Sequence, residues 1–219
     1  KAQKMLVSAL DEAIARAGLS ATEIAEASLF VGTTGGLFIR NEYEFTEEVR
    51  KNPDKESPSI SCRNRGPGEV TQLVVDKYGI RGIAFTLSMA CVSSSHALVV
   101  AARLLEQGKI RRAIVVGFEP LLNLTLYGFA SLLLYDYEQC RPFCATRSGM
   151  QIGEGAGALI LERRNKKPSS AKSNYKFSGG YLFNDNSSLT SAGLDGELVK
   201  DVVGQTLSLS RLSVADIKA

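Results

Sequence analysis

Hydrophobic and polar residues repeat along this chain with two different periods. Residues 3–17 place apolar side chains at helical spacing, which predicts an amphipathic helix. Ser20 and Glu23 have the spacing of a capping box and predict the start of another helical turn. The apolar run at 28–32, SLFVG, instead predicts a buried strand that ends in the turn-like residues 33–36.

The rest of the chain continues this alternation. Further helices are predicted at 37–50, 68–78, 91–107 and about 195–209, and further strands at 82–88, 112–117, 155–162 and 175–183. Residues 51–66 and 168–174 have the polar composition of loops, and 119–148 is a long irregular or helical excursion. The helix at 91–107 is apolar on nearly every face, which predicts burial on all sides. Strands that alternate with helices predict an α/β domain with a mostly parallel five-stranded sheet flanked by helices.

Composition excludes several classes of protein. Of the 219 residues, 44% are hydrophobic and 22% are charged, which is an ordinary balance for a globular domain. The formal net charge of +3 is too small to indicate a nucleic-acid-binding protein. Because no apolar run is long enough to span a bilayer and no secretory signal is present, we expect no membrane insertion and a cytoplasmic location.

Basic residues form two local clusters despite this mild net charge. The clusters are Lys109, Arg111 and Arg112, and then Arg163, Arg164, Lys166 and Lys167. They could bind an acidic partner protein, or they could simply be solvated loop ends beside strands. The pattern favours the second interpretation.

The cysteines predict neither a disulfide framework nor a metal site. Cys62, Cys91, Cys140 and Cys144 are too sparse for a disulfide-rich domain, so a reducing compartment is expected. Cys140 and Cys144 are not followed by a second pair of ligands, and His96 is the only histidine. We therefore expect no metal and no cofactor.

Cys91 lies where the strand pattern gives way to the helix pattern. A nucleophile at such a turn is exposed at the strand end, and the helix N-terminus favours the thiolate, which is the reactive species. Small residues on both sides, Ala90 before it and Ser93 after it, leave room for a tight backbone. The alternative is that Cys91 is a small buried residue with no chemistry.

His96 is the only nearby candidate for a base. It lies five residues after Cys91, so on a helix the two side chains are rotated by about 140° and do not share a face. His96 is therefore interpreted as a structural residue. If Cys91 is a nucleophile, its acid and base partners must come from elsewhere.

Three stretches together resemble the β-ketoacyl-acyl-carrier-protein synthases, which have the thiolase-like fold. The stretches are LFVGTTGG at 29–36, ACVSSSHALVVAARLLEQGKIRRAIVVGFEP at 90–120, and CRPFCATRSGMQIGEGAGALILE at 140–162. They match the family's A-C-x-S turn, its strand ending near GGxE, and its RPFDxxRDG and GEGAG motifs in order and spacing. The resemblance implies acyl-chain elongation by decarboxylative condensation on an acyl carrier protein, in type II fatty-acid or polyketide synthesis.

The resemblance also implies roles for particular residues. Cys91 falls on the nucleophile that takes the acyl chain from the carrier protein, and its backbone N–H on half of the oxyanion hole. Gly153, Glu154 and Gly155 fall on the glycine-rich active-site loop. The glycines of this run permit a close backbone approach. Glu154 is interpreted as a structural ion partner, not as an acid.

The loop at 140–150 departs from the family pattern. Cys144 and Ser148 stand where the family has aspartates, and Met150 stands where an aromatic residue is common. These changes weaken the prediction that the loop is a standard active-site wall. They leave the predicted fold unchanged.

The resemblance covers the first of the family's two similar halves. We therefore expect residues 1–219 to form a single domain of the N-terminal type, without the second half that supplies two histidines and a lysine. Two interpretations are open: a chain-length-factor-like partner of a complete ketosynthase, or the front part of an active enzyme with Cys91 as nucleophile. Loss of the second half and the altered 140–150 loop favour the partner role.

A half of this fold leaves an apolar face uncovered, which favours association. In the family, dimers form through the strand before the nucleophile, which is 82–88 here. The expected partners are therefore a full-length ketosynthase subunit or a second copy, joined through this strand, and an acyl carrier protein.

Overall fold

A computed structural model describes residues 1–55, 66–163, 175–185 and 196–218. Cys62, the loop at 168–174 and the basic residues Arg164, Lys166 and Lys167 lie outside these described residues. In the described chain the α-helices are α1 Ala2–Ala17, α2 Ala21–Glu26, α3 Ile39–Lys51, α4 Gly68–Tyr78, α5 Ser93–Glu106, α6 Asn123–Ser131 and α7 Glu197–Ser210. The strands are β1 Ser28–Gly32, β2 Ala84–Leu87, β3 Arg112–Glu119 and β4 Gly155–Glu162. A short 3₁₀ turn, Val214–Asp216, follows α7.

These strands form one mixed sheet in the order β2-β1-β3-β4. β1 is parallel to both β2 and β3, and β4 runs antiparallel to β3. The carboxyl ends of β1, β2 and β3 therefore meet the amino end of β4 at one edge of the sheet. The prediction of an α/β fold with a mostly parallel sheet is confirmed.

Apolar side chains cover both faces of the sheet. On one face, Leu6 and Leu10 of α1 and Val74 of α4 pack with Leu29 and Val31 of β1. On the other face, the core contains Phe30, Ala97, Ala101, Leu105 and Val115, so α5 forms the second covering layer. All five residues of β1 are buried, as the unbroken apolar run predicts.

The predicted fifth strand at 175–183 is wrong. These residues form no strand in the described chain, because the segment packs across helices and not beside the sheet. A Cβ on Gly180 would lie 2.7 Å from a methyl of Val99 on α5, and one on Gly179 would lie 2.9 Å from the hydroxyl of Ser210 on α7. The two glycines allow this close approach and weaken any strand pairing.

The composition of helix α5 predicted burial on all sides, and this prediction is wrong for the described structure. Ala97, Ala101 and Leu105 are buried against the sheet, whereas Ser95 and Arg103 are exposed in the described structure. Of the remaining apolar side chains of α5, Val99 and Ala102 are also buried, whereas Leu98, Val100 and Leu104 are half-buried.

The first basic cluster is partly neutralised by acidic neighbours. Arg112 forms ion pairs with Glu23, 2.9 Å away, and with Glu162 on β4. Lys109 and Arg111 are exposed beside it, at the amino end of β3. The interpretation of this cluster as solvated loop ends beside strands stays a prediction, with an acidic partner protein as its alternative. No helix in the described parts of the chain has both the length and the apolar character to cross a bilayer.

Candidate active site at the Cys91 turn

Cys91 lies on a sharp turn between β2 and α5. Ala90, the residue before it, has a φ of 49°, in the left-handed region that non-glycine residues rarely adopt. Such strain collects at functional sites, where the surrounding structure holds it in place. Within the described residues Cys91 is exposed at this turn, and its role as a nucleophile stays a prediction.

The side chain of Ser93 holds the turn together. Its hydroxyl accepts a hydrogen bond from the Met89 N–H at 2.8 Å and donates one to the Ala90 carbonyl at 2.6 Å. Ser93 is itself only 4% exposed. The two bonds join residues on either side of Cys91, and they stabilise the left-handed conformation of Ala90.

Two glycines on neighbouring strands make room for the start of α5. A Cβ on Gly32 would lie 2.4 Å from the Ser93 carbonyl oxygen, and one on Gly117 would lie 2.9 Å from the Ser94 Cβ. Gly32 and Gly117 are register partners in the parallel ladder between β1 and β3. The first turn of α5 therefore rests directly on the sheet backbone, and this contact fixes the position of Cys91.

Glu119, at the end of β3, holds the loop that follows β1. Its carboxylate accepts hydrogen bonds from the Thr34 N–H at 2.8 Å and from the Gly35 N–H at 2.9 Å. Thr33, which is buried, accepts a further bond from the Gly36 N–H at 3.0 Å. The loop at 33–36 is thus a fixed structure at the same sheet edge as Cys91.

A cavity of about 370 Å³ opens beside this loop. It is lined mainly by apolar groups and by one buried amide: Thr34, Gly35, Phe38, Asn41, Gly66, Pro67 and Leu124.

The glycine-rich stretch lies at the same edge, where β4 begins. Gly155 is the register partner of Glu119. Glu154 forms an ion pair with Lys1, and the hydrogen bond from that ammonium lowers the pKa of the carboxyl. A Cβ on Gly153 or Gly155 would meet no atom within 4 Å, so the close backbone approach predicted for these glycines does not occur within the described residues.

The loop at 134–150 is closed by Asp136. This buried carboxylate accepts hydrogen bonds from the Ser148 hydroxyl at 2.6 Å and from the Glu138 N–H at 2.9 Å. These donors, Ser148 first, lower the pKa of Asp136. Ser148 therefore donates a hydrogen bond to Asp136. An aspartate at position 148, as in the family pattern, would instead place a second carboxylate beside Asp136.

Cys144, the other departure, lies in the same loop. Its thiol is 3.3 Å from the Thr146 hydroxyl, and hydrogen bonds from the side chain and backbone of Thr146 lower the pKa of the thiol. Phe143, its neighbour, is 99% exposed with a φ of 62°. This part of the loop is a surface feature among the described residues.

His96 does not serve as a base for Cys91 in this arrangement. It lies in the first turn of α5, with its backbone N–H bonded to the Val92 carbonyl at 2.8 Å. No hydrogen bond of the described residues joins its ring to the Cys91 thiol. The structure thus brings Cys91, Glu119 and the 153–155 stretch to one edge and leaves His96 on the helix.

Sequence reasoning did not single out Ser93, Gly32 or Glu119 as site residues. Two signals could have indicated Gly32 and Glu119: a glycine at the end of a buried strand, and a carboxylate at the end of another.

The comparisons with known proteins agree with this geometry. Residues 1–167 match the model of the β-ketoacyl synthase N-terminal domain. The chain belongs to the β-ketoacyl synthase family.

Three individual proteins illustrate the range of relatives. The highly reducing polyketide synthase dmxL2 of Cryptosporiopsis sp. is 29% identical over 164 residues, covering 74% of this chain and 6% of that protein. The solved complex of the ketosynthase ApeO with its chain length factor ApeC, from Xenorhabdus doucetiae, matches at 31% identity with a TM-score of 0.56, covering 74% of this chain and 39% of the matched one. A β-ketoacyl synthase from Burkholderia phymatum matches at 22% identity with a TM-score of 0.78, covering 97% of this chain and 54% of that one. This chain therefore spans about half or less of the length of each.

Proposed function

We propose that this chain contains the acyl-accepting site of a β-ketoacyl synthase, with Cys91 as the nucleophile. The observation that carries the proposal is an exposed thiol on a left-handed turn, held by Ser93 at the N-terminus of α5. A buried structural cysteine would need neither the exposure nor the strained turn. The acyl group comes from the thioester of an acyl carrier protein.

The transfer exchanges one thioester for another. The Cys91 sulfur attacks the acyl carbonyl carbon, a new C–S bond forms, and the bond to the carrier's sulfur breaks. The proton lost by Cys91 goes to the departing carrier thiolate, which leaves as the thiol, so no oxidant or reductant is needed. Partial positive charge at the α5 N-terminus favours the negative oxygen of the tetrahedral intermediate, and the Cys91 N–H is the proposed donor to that oxygen.

The condensation that follows needs further groups. By the resemblance these are two histidines and a lysine of a second half, which stabilise the developing negative charge on the thioester and enolate oxygens. We expect them on the rest of the natural polypeptide or on a partner subunit. The exchange at Cys91 requires no cofactor.

A second candidate function is a chain-length-factor-like partner, which the sequence favours. The supporting observation is the similarity to a chain of a solved complex between a ketosynthase and its chain length factor. Among the described residues β2 is an edge strand of the sheet. On β2 and beside it, Ile83, Phe85 and Met89 are each exposed over close to half of their surface. Association through this edge, with a ketosynthase subunit or a second copy, would cover them. The intact Cys91 turn places acyl acceptance first.

Turnover and its dependence on one thiol test the proposal. The natural polypeptide that contains this sequence is purified with any subunit that accompanies it, then supplied with acyl- and malonyl-carrier protein. We expect condensation that is lost in Cys91→Ala and kept in Cys144→Ala, which removes another thiol. Equal turnover of the Cys91→Ala complex and the wild type would instead assign this chain the partner role.

A further inference from the structure

Two segments at the site edge hold each other through carboxylates. Glu119 binds the N–H groups of Thr34 and Gly35. In the reverse direction, Glu42 on α3 accepts bonds from the Asn123 and Leu124 N–H groups, at 2.9 and 2.7 Å, where α6 begins. Each carboxylate satisfies two backbone donors more than 80 residues away in sequence.

Little free space remains between the segments on the Glu119 side. A Cβ on Gly35 would lie 2.4 Å from a methyl of Leu122 and 2.9 Å from a Glu119 carboxylate oxygen. Leu122 is 3% exposed, so it has little freedom to move aside. Only glycine fits at position 35, and the loop is held against β3.

The same loop is coupled to the Cys91 turn. The Thr33 N–H donates to the Leu87 carbonyl at 3.1 Å, at the end of β2 and four residues before Cys91. Gly32, directly before the loop, contacts the Ser93 backbone. A displacement of the loop at 33–36 therefore acts on the segment before the Cys91 turn, through Leu87, and on the segment after it, through Ser93.

We propose that Glu119 is a positioning residue for acyl transfer to Cys91. This inference rests on the proposed function. Glu119 fixes the loop at 33–36, which lies at the same sheet edge as Cys91 and is bonded to the end of β2. On this inference an acyl thioester must fit against the loop to reach the sulfur. A small alkylating reagent has no such requirement.

Glu119→Gln tests this role with almost no change in size. The amide oxygen can accept from one N–H, but the amide NH₂ then faces the other donor. One of the two bonds is lost, and the loop is released on that side. Since small errors in position slow a reaction strongly, we expect acylation of Cys91 to fall by about tenfold or more.

The experiment measures two rates on the natural full-length polypeptide, with any subunit that accompanies it. One is acylation of Cys91 from acyl-carrier protein, and the other is alkylation of Cys91 by iodoacetamide, both followed by mass spectrometry. A merely structural role would lower the active fraction and reduce both rates equally. The ratio of acylation to alkylation is therefore expected to fall only if Glu119 positions the acyl group.

Glu42→Gln is the matched control. It removes a carboxylate that also binds two backbone N–H groups, but at the start of α6. We expect Glu42→Gln to keep a wild-type ratio even if it lowers stability. An unchanged ratio in Glu119→Gln, or an equal fall in both variants, would overturn the inference.

Two further outcomes of the experiment can be interpreted. If Glu119→Gln does not fold, Glu119→Asp replaces it; its shorter side chain reaches one N–H, and a wild-type ratio in that variant would also overturn the inference. If the wild type is alkylated but never acylated, the proposed function fails, and the inference falls with it for a separately visible reason.

Discussion

Gly32 and Ser93 approach each other so closely that a Cβ on Gly32 would lie 2.4 Å from the Ser93 carbonyl oxygen. This contact joins the end of β1 to the first residue of α5. Both contacting groups are backbone, so neither can swing aside as a side chain does. The position of the Cys91 turn is thus set by the absence of one methyl group.

Gly32→Ala should therefore displace the turn. Overpacking in a tight core usually costs about 1–3 kcal/mol, so we expect a fall of that size in the free energy of unfolding. We also expect slower alkylation of Cys91, because α5 must shift away from the sheet. Urea unfolding and the iodoacetamide rate measure the two effects.

Gly157→Ala is the control for this prediction. Gly157 lies in the same cross-strand row, opposite Gly117 on β3, and a Cβ there would meet nothing within 4 Å. The free energy of unfolding of Gly157→Ala should lie within about 0.5 kcal/mol of the wild-type value, as is usual for surface substitutions. Equal losses in the two variants would contradict the role given to the Gly32–Ser93 contact.

Ser93→Ala should loosen the turn from the other side. It removes the two hydrogen bonds that span Cys91 and leaves the Met89 N–H without that partner. Each of the two hydrogen bonds contributes about 0.5–1.5 kcal/mol, so the free energy of unfolding should fall by about 1–3 kcal/mol. Cys91 acylation should fall as well. Ser95→Ala, which removes an exposed hydroxyl of the same helical turn, should change neither quantity.

Ser148→Asp, which restores the family residue, should destabilise this chain at neutral pH. A carboxylate at 148 would face Asp136, whose oxygen now accepts from the Ser148 hydroxyl. Two carboxylates that close cannot both ionise without cost, so one pKa rises. The free energy of unfolding of Ser148→Asp should lie below that of the wild type. This difference should shrink as pH falls through the raised pKa, because protonation removes the repulsion.

Urea unfolding between pH 4 and pH 8 checks this dependence. Ser148→Asn, which has a similar shape without the charge, should show no such recovery on acidification. In the wild type, Asp136 has a lowered pKa, so its stabilisation is present above the unfolded pKa and is lost as pH falls through the folded pKa. A Ser148→Asp deficit that is constant with pH would contradict the proposed repulsion.

Phe85→Asp tests association through the free edge of β2. Phe85 is 46% exposed on that strand, so a charge there should weaken any pairing that covers it. We expect native mass spectrometry of the natural polypeptide to show less dimer or heterodimer for this variant. Tyr127→Asp alters another exposed aromatic residue, on α6, and should leave assembly unchanged.

The hydrophobic pattern predicted most of the fold because each element of it is local. SLFVG predicted a buried strand, and β1 is buried at every residue. The segment at 175–183 misled because its apolar residues fit a strand, whereas its packing through Gly180 on Val99 depends on tertiary contact. Propensity alone cannot separate these two outcomes.

The candidate site was predictable only where its signal was local. Cys91 was found from the strand-to-helix change and its small neighbours. The part played by Glu119 depends on a bond to Thr34 across 85 residues, which no periodicity encodes. Ser93 belongs to the quoted motif, but its function depends on the left-handed conformation of Ala90, which sequence does not reveal.

Acyl transfer to Cys91 is the central claim, and peptide mapping after acylation tests it most directly. The natural polypeptide, with any accompanying subunit, is incubated with acyl-carrier protein, digested and analysed by mass spectrometry. The account predicts one acyl group per chain, on the peptide that contains Cys91, with Cys140 and Cys144 unmodified. An acyl group on Cys144 with Cys91 free, or no acylation while iodoacetamide still modifies Cys91, would contradict it.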